Sequence, residues 1–394
     1  MVDVARAVER ATGSRDLPVV RSDDTPERPR VPWALNVMVL ASASMALGLL
    51  WDLSWHRSIG RDAFWSPPHV PIYLGALAAG LTSAWLIARA TLDRAGPPAA
   101  VAPVGRVRGP IGAWLGVWGA VAMLTAAPFD DWWHDAYGLD VEILSPPHVL
   151  LVLGIVAIQV GAVLLVVAWR NRRAGTTLAH RLLPGYAAST VLMMIVFLLL
   201  ESLYPTQMHR AAFYEISAVA FPWILVAVAR ADDGAWGATT AAALYAVVSA
   251  VMLWILPLFP ATPRFVPVHH PVTFMVPHPF PLLLPIPALA VDALARRWKG
   301  NDWIMAAALG VAFVLTFTPA QWWFAEFLLS PAARNWIFAG DAWSFYTPGD
   351  RRFEFWSTAT DPVSMLSLGG AGVLAAASAR AGLWLGAWMR AVRR

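Results

Sequence analysis

Apolar residues run in blocks of about twenty along most of this chain, and polar residues collect between the blocks instead of alternating within them. A bilayer core about 30 Å thick needs roughly 20 apolar residues per crossing helix. Ten stretches qualify, at about 33–51, 70–90, 109–129, 148–169, 183–203, 211–229, 236–258, 279–295, 303–325 and 362–388. The pattern predicts an all-α, polytopic membrane helical bundle of about ten transmembrane helices. Ahead of the first block, residues 1–32 are rich in Arg, Asp and Pro, too long and too acidic for the basic start of a signal peptide, and read as a polar tail. Residues 33–170 then hold four helices and 171–394 six more. Within the second group, 257–281 carries too many prolines for a regular helix and predicts an outer loop that dips against protein.

Composition agrees with the blocks. The 394 residues are 58% hydrophobic and 14% charged, with a mean hydropathy of +0.56, far more apolar than a soluble domain. Orientation follows from the basic residues, because Lys and Arg are retained on the cytoplasmic side. With the N-terminus inside, 22 of the 29 fall in the tails and the connections after even-numbered helices, "RNRR" at 170–173 and "RRWK" at 296–299 among them. An even number of spans returns the C-terminus to the cytoplasm. The net charge of +4 is therefore mostly topology and no nucleic-acid footprint. No phosphate-binding or dinucleotide glycine pattern occurs, and the lack of cysteine excludes thiolate metal sites and disulfides.

This topology places eight of the nine histidines (His56, His69, His134, His148, His209, His269, His270 and His278) on the outer side and His180 alone on the cytoplasmic side. Histidine, like Trp and Tyr, suits an interface, so one-sidedness alone is weak. Spacing adds more. Asp52 and His56 are four apart and share a helix face. In "SPPH", Ser66 fits an N-cap and Pro67 and Pro68 a first turn, which puts His69 at the start of the next helix. Antiparallel neighbours bring those ends together, and two imidazoles with a carboxylate suit copper, zinc or iron. Asp130, His134, Ser145, Pro146, Pro147 and His148 repeat the arrangement.

Asp-x3-His-x12-His followed by Asp-x3-His-x13-His resembles the C subunit of the copper membrane monooxygenases, the particulate methane and ammonia monooxygenases, over about residues 33–170. The resemblance implies that Asp52, His56 and His69 hold one intramembrane copper and Asp130, His134 and His148 a second, where the family typically has asparagine in place of Asp130. It further implies oxidation of a small apolar substrate with dioxygen, partner monooxygenase subunits and a trimeric assembly. It assigns no catalytic residue beyond the ligands.

Other candidates are looser. Glu201, His209 and Glu215 flank the fifth and sixth helices and could add ligands or support them; His269, His270 and His278 could line an entrance or bind a further metal; Glu326 follows Trp322 and Trp323 near the outer end of the ninth helix. Three further readings stay open: a metal transporter, since ten helices with a repeated hairpin suit one; a metal-binding assembly subunit; and a duplicated hairpin whose Asp–His pairs only order loops.

Overall fold

The computed structural model describes residues 32–60, 63–92, 102–138, 145–172, 178–232, 236–264, 272–298, 300–342 and 360–393. The polar tail, His269 and His270 lie outside them. A first hairpin is made by α1 (Trp33–Ser58) and α2 (His69–Leu92), and a second by α3 (Ile111–Tyr137) and α4 (Pro146–Asn171). A short antiparallel ribbon, β1 (Ala102–Val104) with β2 (Val107–Gly109), lies between the hairpins in the chain. The chain continues through α5 (Leu178–Leu198), α6 (Ala211–Ala220), α7 (Pro222–Ala231), α8 (Gly237–Ile255), α9 (Pro285–Arg297), α10 (Asp302–Leu329) and α11 (Met365–Ala391).

The two hairpins are one design used twice. The starts of α1 and α3 are 78 residues apart, and those of α2 and α4 are 77 apart. Packing repeats in the same register. A Cβ on Gly75 would meet the Ala41 carbonyl and Met45 Cγ, both at 2.8 Å; a Cβ on Gly154 would meet the equivalent Gly119 carbonyl at 2.9 Å and Met123 Cγ at 2.6 Å. Only glycine permits this approach of the helix backbones, the small-residue packing on which membrane helices rely. Because α1 and α2 touch so closely near their connected ends, the residues at those ends are held in fixed relation.

Among the described residues, eight segments are long and apolar enough to cross a membrane, with α6 and α7 counted as one across the Phe221–Pro222 break. Leucine-rich faces of α2 (Leu74, Leu77, Leu81) and exposed Trp118 and Leu315 form the apolar exterior such a bundle turns to lipid. The core sits among α5 to α11, around Phe213, Phe221, Tyr245, Phe313 and Phe317.

The expected eighth span, about 279–295, departs from a simple crossing. Only α9 is helical there, and its 13 residues rise about 20 Å, short of a 30 Å core. The stretch before it, 272–284, is not helical yet is buried at Met275, Val276, His278, Leu282 and Leu284. Backbone can be buried outside a helix only if its polar groups are met. Pro277, Pro279 and Pro281 have no N–H to satisfy. Four of the others are served: Met275 N–H donates to the Phe259 carbonyl, Val276 N–H to Ser58 Oγ, Leu282 N–H to Tyr245 Oη and Leu283 N–H to Gln321 Oε1, at 2.7 to 3.2 Å. Residues 275–282 are thus extended chain buried against α1, α8 and the turn at Phe259.

Polar contacts gather at the two ends of the bundle. At the end bearing the C-termini of α1, α3, α5 and α8, called upper here, Arg210 pairs with Asp361, and Trp254 Nε1 donates to the Ile337 carbonyl at 2.9 Å. At the lower end Arg170 pairs with Asp232 at 2.6 Å and Arg230 with Asp302 at 3.5 Å, while Asp292 accepts both the N–H and the hydroxyl of Thr239 at 2.7 Å.

Candidate metal centres

The first triad comes from the facing ends of α1 and α2. Asp52 and His56 lie one turn apart on α1, and His69 opens α2. Asp52 Oδ2 is 3.6 Å from His56 Nε2, and Oδ1 is 3.4 Å from His69 Nε2. In the second hairpin Asp130 Oδ2 is 3.6 Å from His134 Nε2, and Oδ1 is 3.4 Å from His148 Nε2. The aspartate sits between its two histidines in both.

Two donors held about 2.0–2.1 Å from one ion at a tetrahedral angle lie about 3.3 Å apart. The observed Asp–His separations of 3.4 and 3.6 Å fit neighbouring ligands on a shared cation and equally a direct Asp–His ion pair, and among the described residues the first triad does not bring one ligand atom from each of its three residues together as the second does. In the second triad one ligand atom from each of Asp130, His134 and His148 lies within 4.8 Å of the others, a group that could hold a metal ion.

Tautomers support the donor set. His69 Nδ1 is 3.3 Å from the Phe64 carbonyl and 3.4 Å from Tyr73 Oη; a neutral ring that donates to the carbonyl through Nδ1 turns its Nε2 lone pair toward Asp52. His134 Nδ1 faces the Gly138 carbonyl at 3.4 Å in the same way. Gly138 can place its carbonyl there because it caps α3 with a φ of 92°, a conformation that favours glycine. An imidazole lone pair facing a carboxylate oxygen is repulsive unless a proton or cation lies between them. A backbone carbonyl on the far nitrogen is the usual support of a metal-ligating histidine.

Local starts differ between the hairpins. Ser145 is the expected N-cap of α4, its Oγ accepting from His148 N–H at 3.4 Å, with Pro146 and Pro147 in the first turn. Ser66 instead accepts from Ala63 N–H at 2.8 Å, and α2 begins only at His69. His148 therefore lies inside a capped first turn and His69 at a helix edge. The first triad keeps an open side at His56, whose side chain is 47% exposed against 17% for Asp52, whereas all three members of the second are partly buried. Aromatic rings border both, Phe64 and Tyr73 beside the first at 5.3 Å between centroids and Phe129, Trp132 and Trp133 beside the second.

The remaining candidates separate. His209, 1% exposed, is 3.5 Å from Glu326 Oε2 and packs edge-on against Trp322 at 4.5 Å. Burial pulls its pKa down to about 4, against the Trp322 backbone carbonyl, which favours the proton. Among the described residues Glu201 and Glu215 join neither this pair nor the triads. His278 is buried in the extended segment and is not among the residues grouped at the second triad. The pairing of His209 with Glu326 and the orienting carbonyls of Phe64 and Gly138 escape sequence reasoning: the first joins residues over a hundred positions apart, and a carbonyl is common to every residue. No protein-family model, curated protein or solved structure matches this chain.

Proposed function

We propose that this chain is a copper-binding membrane protein of the monooxygenase type, whose two Asp/His/His triads serve the oxidation of a small apolar substrate with dioxygen. The observation that carries the reading is the duplicated triad, with the same residues in the same order and the same 3.4 and 3.6 Å separations. Imidazole and carboxylate also suit zinc and iron; the resemblance of residues 33–170 to the C subunit of the copper membrane monooxygenases favours copper. Copper held by these side chains would supply the cycling between oxidation states that dioxygen activation needs.

The chain's own residues do the rest. Asp52 and Asp130 bring negative charge, the Phe64 and Gly138 carbonyls hold His69 and His134 in the ligating tautomer, and the aromatic borders offer an apolar approach. Asp130, where the resembled family has asparagine, favours a harder or more oxidised ion at the second triad. The bias of basic residues places the triads on the extracytoplasmic side of a cell membrane. Partner subunits and a trimeric assembly follow from the resemblance alone.

The rival reading is a metal transporter. Against it, the stretches 33–51, 70–88, 111–129 and 149–169 contain no Asp, Glu, Lys, Arg or His to relay an ion past the triads. One experiment separates the two: metal analysis with electron paramagnetic resonance on protein in nanodiscs, beside copper flux into dye-loaded proteoliposomes. Tightly held copper whose spectrum responds to reductant and dioxygen, without flux, is expected. Flux abolished by Asp130→Ala would overturn the monooxygenase reading.

A further inference from the structure

Between Met365 and Met389, α11 carries a single charged residue, Arg380. It shares a helix face with Val373, Trp384 and Trp388, which stand seven residues before it and four and eight after it, and all three are exposed on the apolar exterior. A charge on a lipid-facing surface is costly unless it reaches water or an anion.

Packing against α10 fixes the depth of Arg380. Asp302 opens α10 at the lower end, where it pairs with Arg230 at 3.5 Å, and Arg390 near the end of α11 donates to the Arg230 carbonyl, so the two helices run antiparallel. A Cβ on Gly310 would strike the backbone of Ala375 and Ala376, which puts Gly310 opposite that pair. Counting from there, Arg380 lies opposite Ala306, three residues or about 4.5 Å inside Trp303. The guanidinium leans back over that distance: its Cζ stands 4.8 Å from the centre of the Trp303 ring, which is itself 68% exposed. Stacking on the indole holds the planar group in one orientation. Nε is buried and without a hydrogen-bond partner among the described residues, so the two Nη groups are the donors that face outward. No carboxylate among the described residues pairs with them; Asp302, next to Trp303, is engaged by Arg230.

We infer that Arg380 and Trp303 bind the phosphate of an anionic phospholipid from the leaflet at the lower end, the Nη groups donating to phosphate oxygens and the acyl chains lying along α11 past Ala377 and Val373. Arg230, Asp302 and Arg380 together carry one positive charge, which the single negative charge of a phosphodiester cancels. A zwitterionic headgroup brings its own ammonium and leaves that excess in place. A soluble phosphate would match the guanidinium but make no use of the exposed apolar face beside it. None of these residues belongs to the triads, so the site holds or fails independently of the metal reading.

The test is photolabelling of the full chain in nanodiscs of phosphatidylcholine, using a phosphatidylglycerol with a diazirine near its headgroup, and peptide mapping. Labelling on 302–306 and 380–384 is expected, displaced by unlabelled phosphatidylglycerol about fivefold more effectively than by added phosphatidylcholine, the factor that one basic residue at a membrane surface contributes. Arg380→Gln should erase that preference. Trp303→Leu, at an exposed position outside the core, should lower it about twofold to fivefold and keeps the test open if Arg380→Gln does not fold. Arg89→Gln, which removes another arginine stacked on a tryptophan, Trp85 at the end of α2, should leave it unchanged. Equal displacement by the two lipids in the wild-type chain would overturn the anionic assignment, and displacement by inorganic phosphate as effective as by phosphatidylglycerol would overturn the lipid. A preference that survives both Arg380→Gln and Trp303→Leu, or that falls as far in Arg89→Gln, would overturn the site.

Discussion

Gly154→Ala perturbs the second triad without touching a ligand. The new Cβ would lie 2.6 Å from Met123 Cγ, 2.9 Å from the Gly119 carbonyl oxygen and 3.2 Å from Met123 N. The Met123 side chain can turn aside, but the Gly119 carbonyl belongs to the backbone of α3 and cannot. Restoring an ordinary contact of about 3.4 Å therefore moves α4 away from α3 by roughly half an ångström. His148 is six residues nearer the start of α4, about 9 Å along the axis, and travels with the helix. Metal–ligand distances tolerate only about 0.2 Å, so a shift of this size takes His148 out of a shared coordination sphere with Asp130. We expect metal affinity at the second triad to fall by about 10- to 100-fold, the range seen when supports of ligands are lost, on top of about 1–3 kcal/mol of overpacking strain. The assay is chelator competition on folded protein in nanodiscs, reading the two metal equivalents separately. Gly75→Ala makes the same intrusion in the first hairpin, against the Ala41 carbonyl at 2.8 Å, and should weaken the other equivalent instead. If either variant folds and both equivalents keep wild-type affinity, helix spacing does not position the triads and the reasoning is wrong.

His56→Ala and His69→Ala should each remove the same metal equivalent and leave that of Asp130, His134 and His148; retention of full metal by both variants would dismiss the first triad as a site. His209, held neutral by burial with a pKa near 4 against about 6.5 unfolded, binds more protons when unfolded across that window. Its contribution is present above pH 6.5 and lost on acidification toward pH 4, on the order of 3 kcal/mol. In metal-free protein His209→Gln should flatten the fall in thermal stability between pH 6.5 and 4, and an unchanged slope would refute the assignment. Reporters fused at residue 1 and after Arg394 should both be active on the cytoplasmic side; opposite sides would contradict an even number of crossings.

What the sequence determined by itself is what depends on neighbours along the chain. Twenty-residue apolar blocks mark the helices because a bilayer leaves a backbone few alternatives; against ten expected spans, eight segments among the described residues are long and apolar enough to cross. Asp52 with His56 and Asp130 with His134 were legible because four residues make one helical turn. His148 was legible because a proline pair after a capping serine opens α4; at His69 the same motif lies just ahead of the helix instead of in its first turn.

Tertiary structure decided whatever depends on which helix faces which. The expected eighth crossing became a short helix behind a buried extended segment, since Ser58, Tyr245 and Gln321, from three other helices, supply its hydrogen bonds. His209 met Glu326 and not Glu201 or Glu215, because α10 and not the neighbouring turn packs over it. The Phe64 and Gly138 carbonyls face Nδ1 of His69 and His134 only because the helix ends fold back as they do, and a crevice at His278 lies where α1, α5 and α8 meet the extended segment. Local periodicity fixes a residue's face on its own helix; the partner of that face is chosen by packing among distant helices, which no single stretch of sequence encodes.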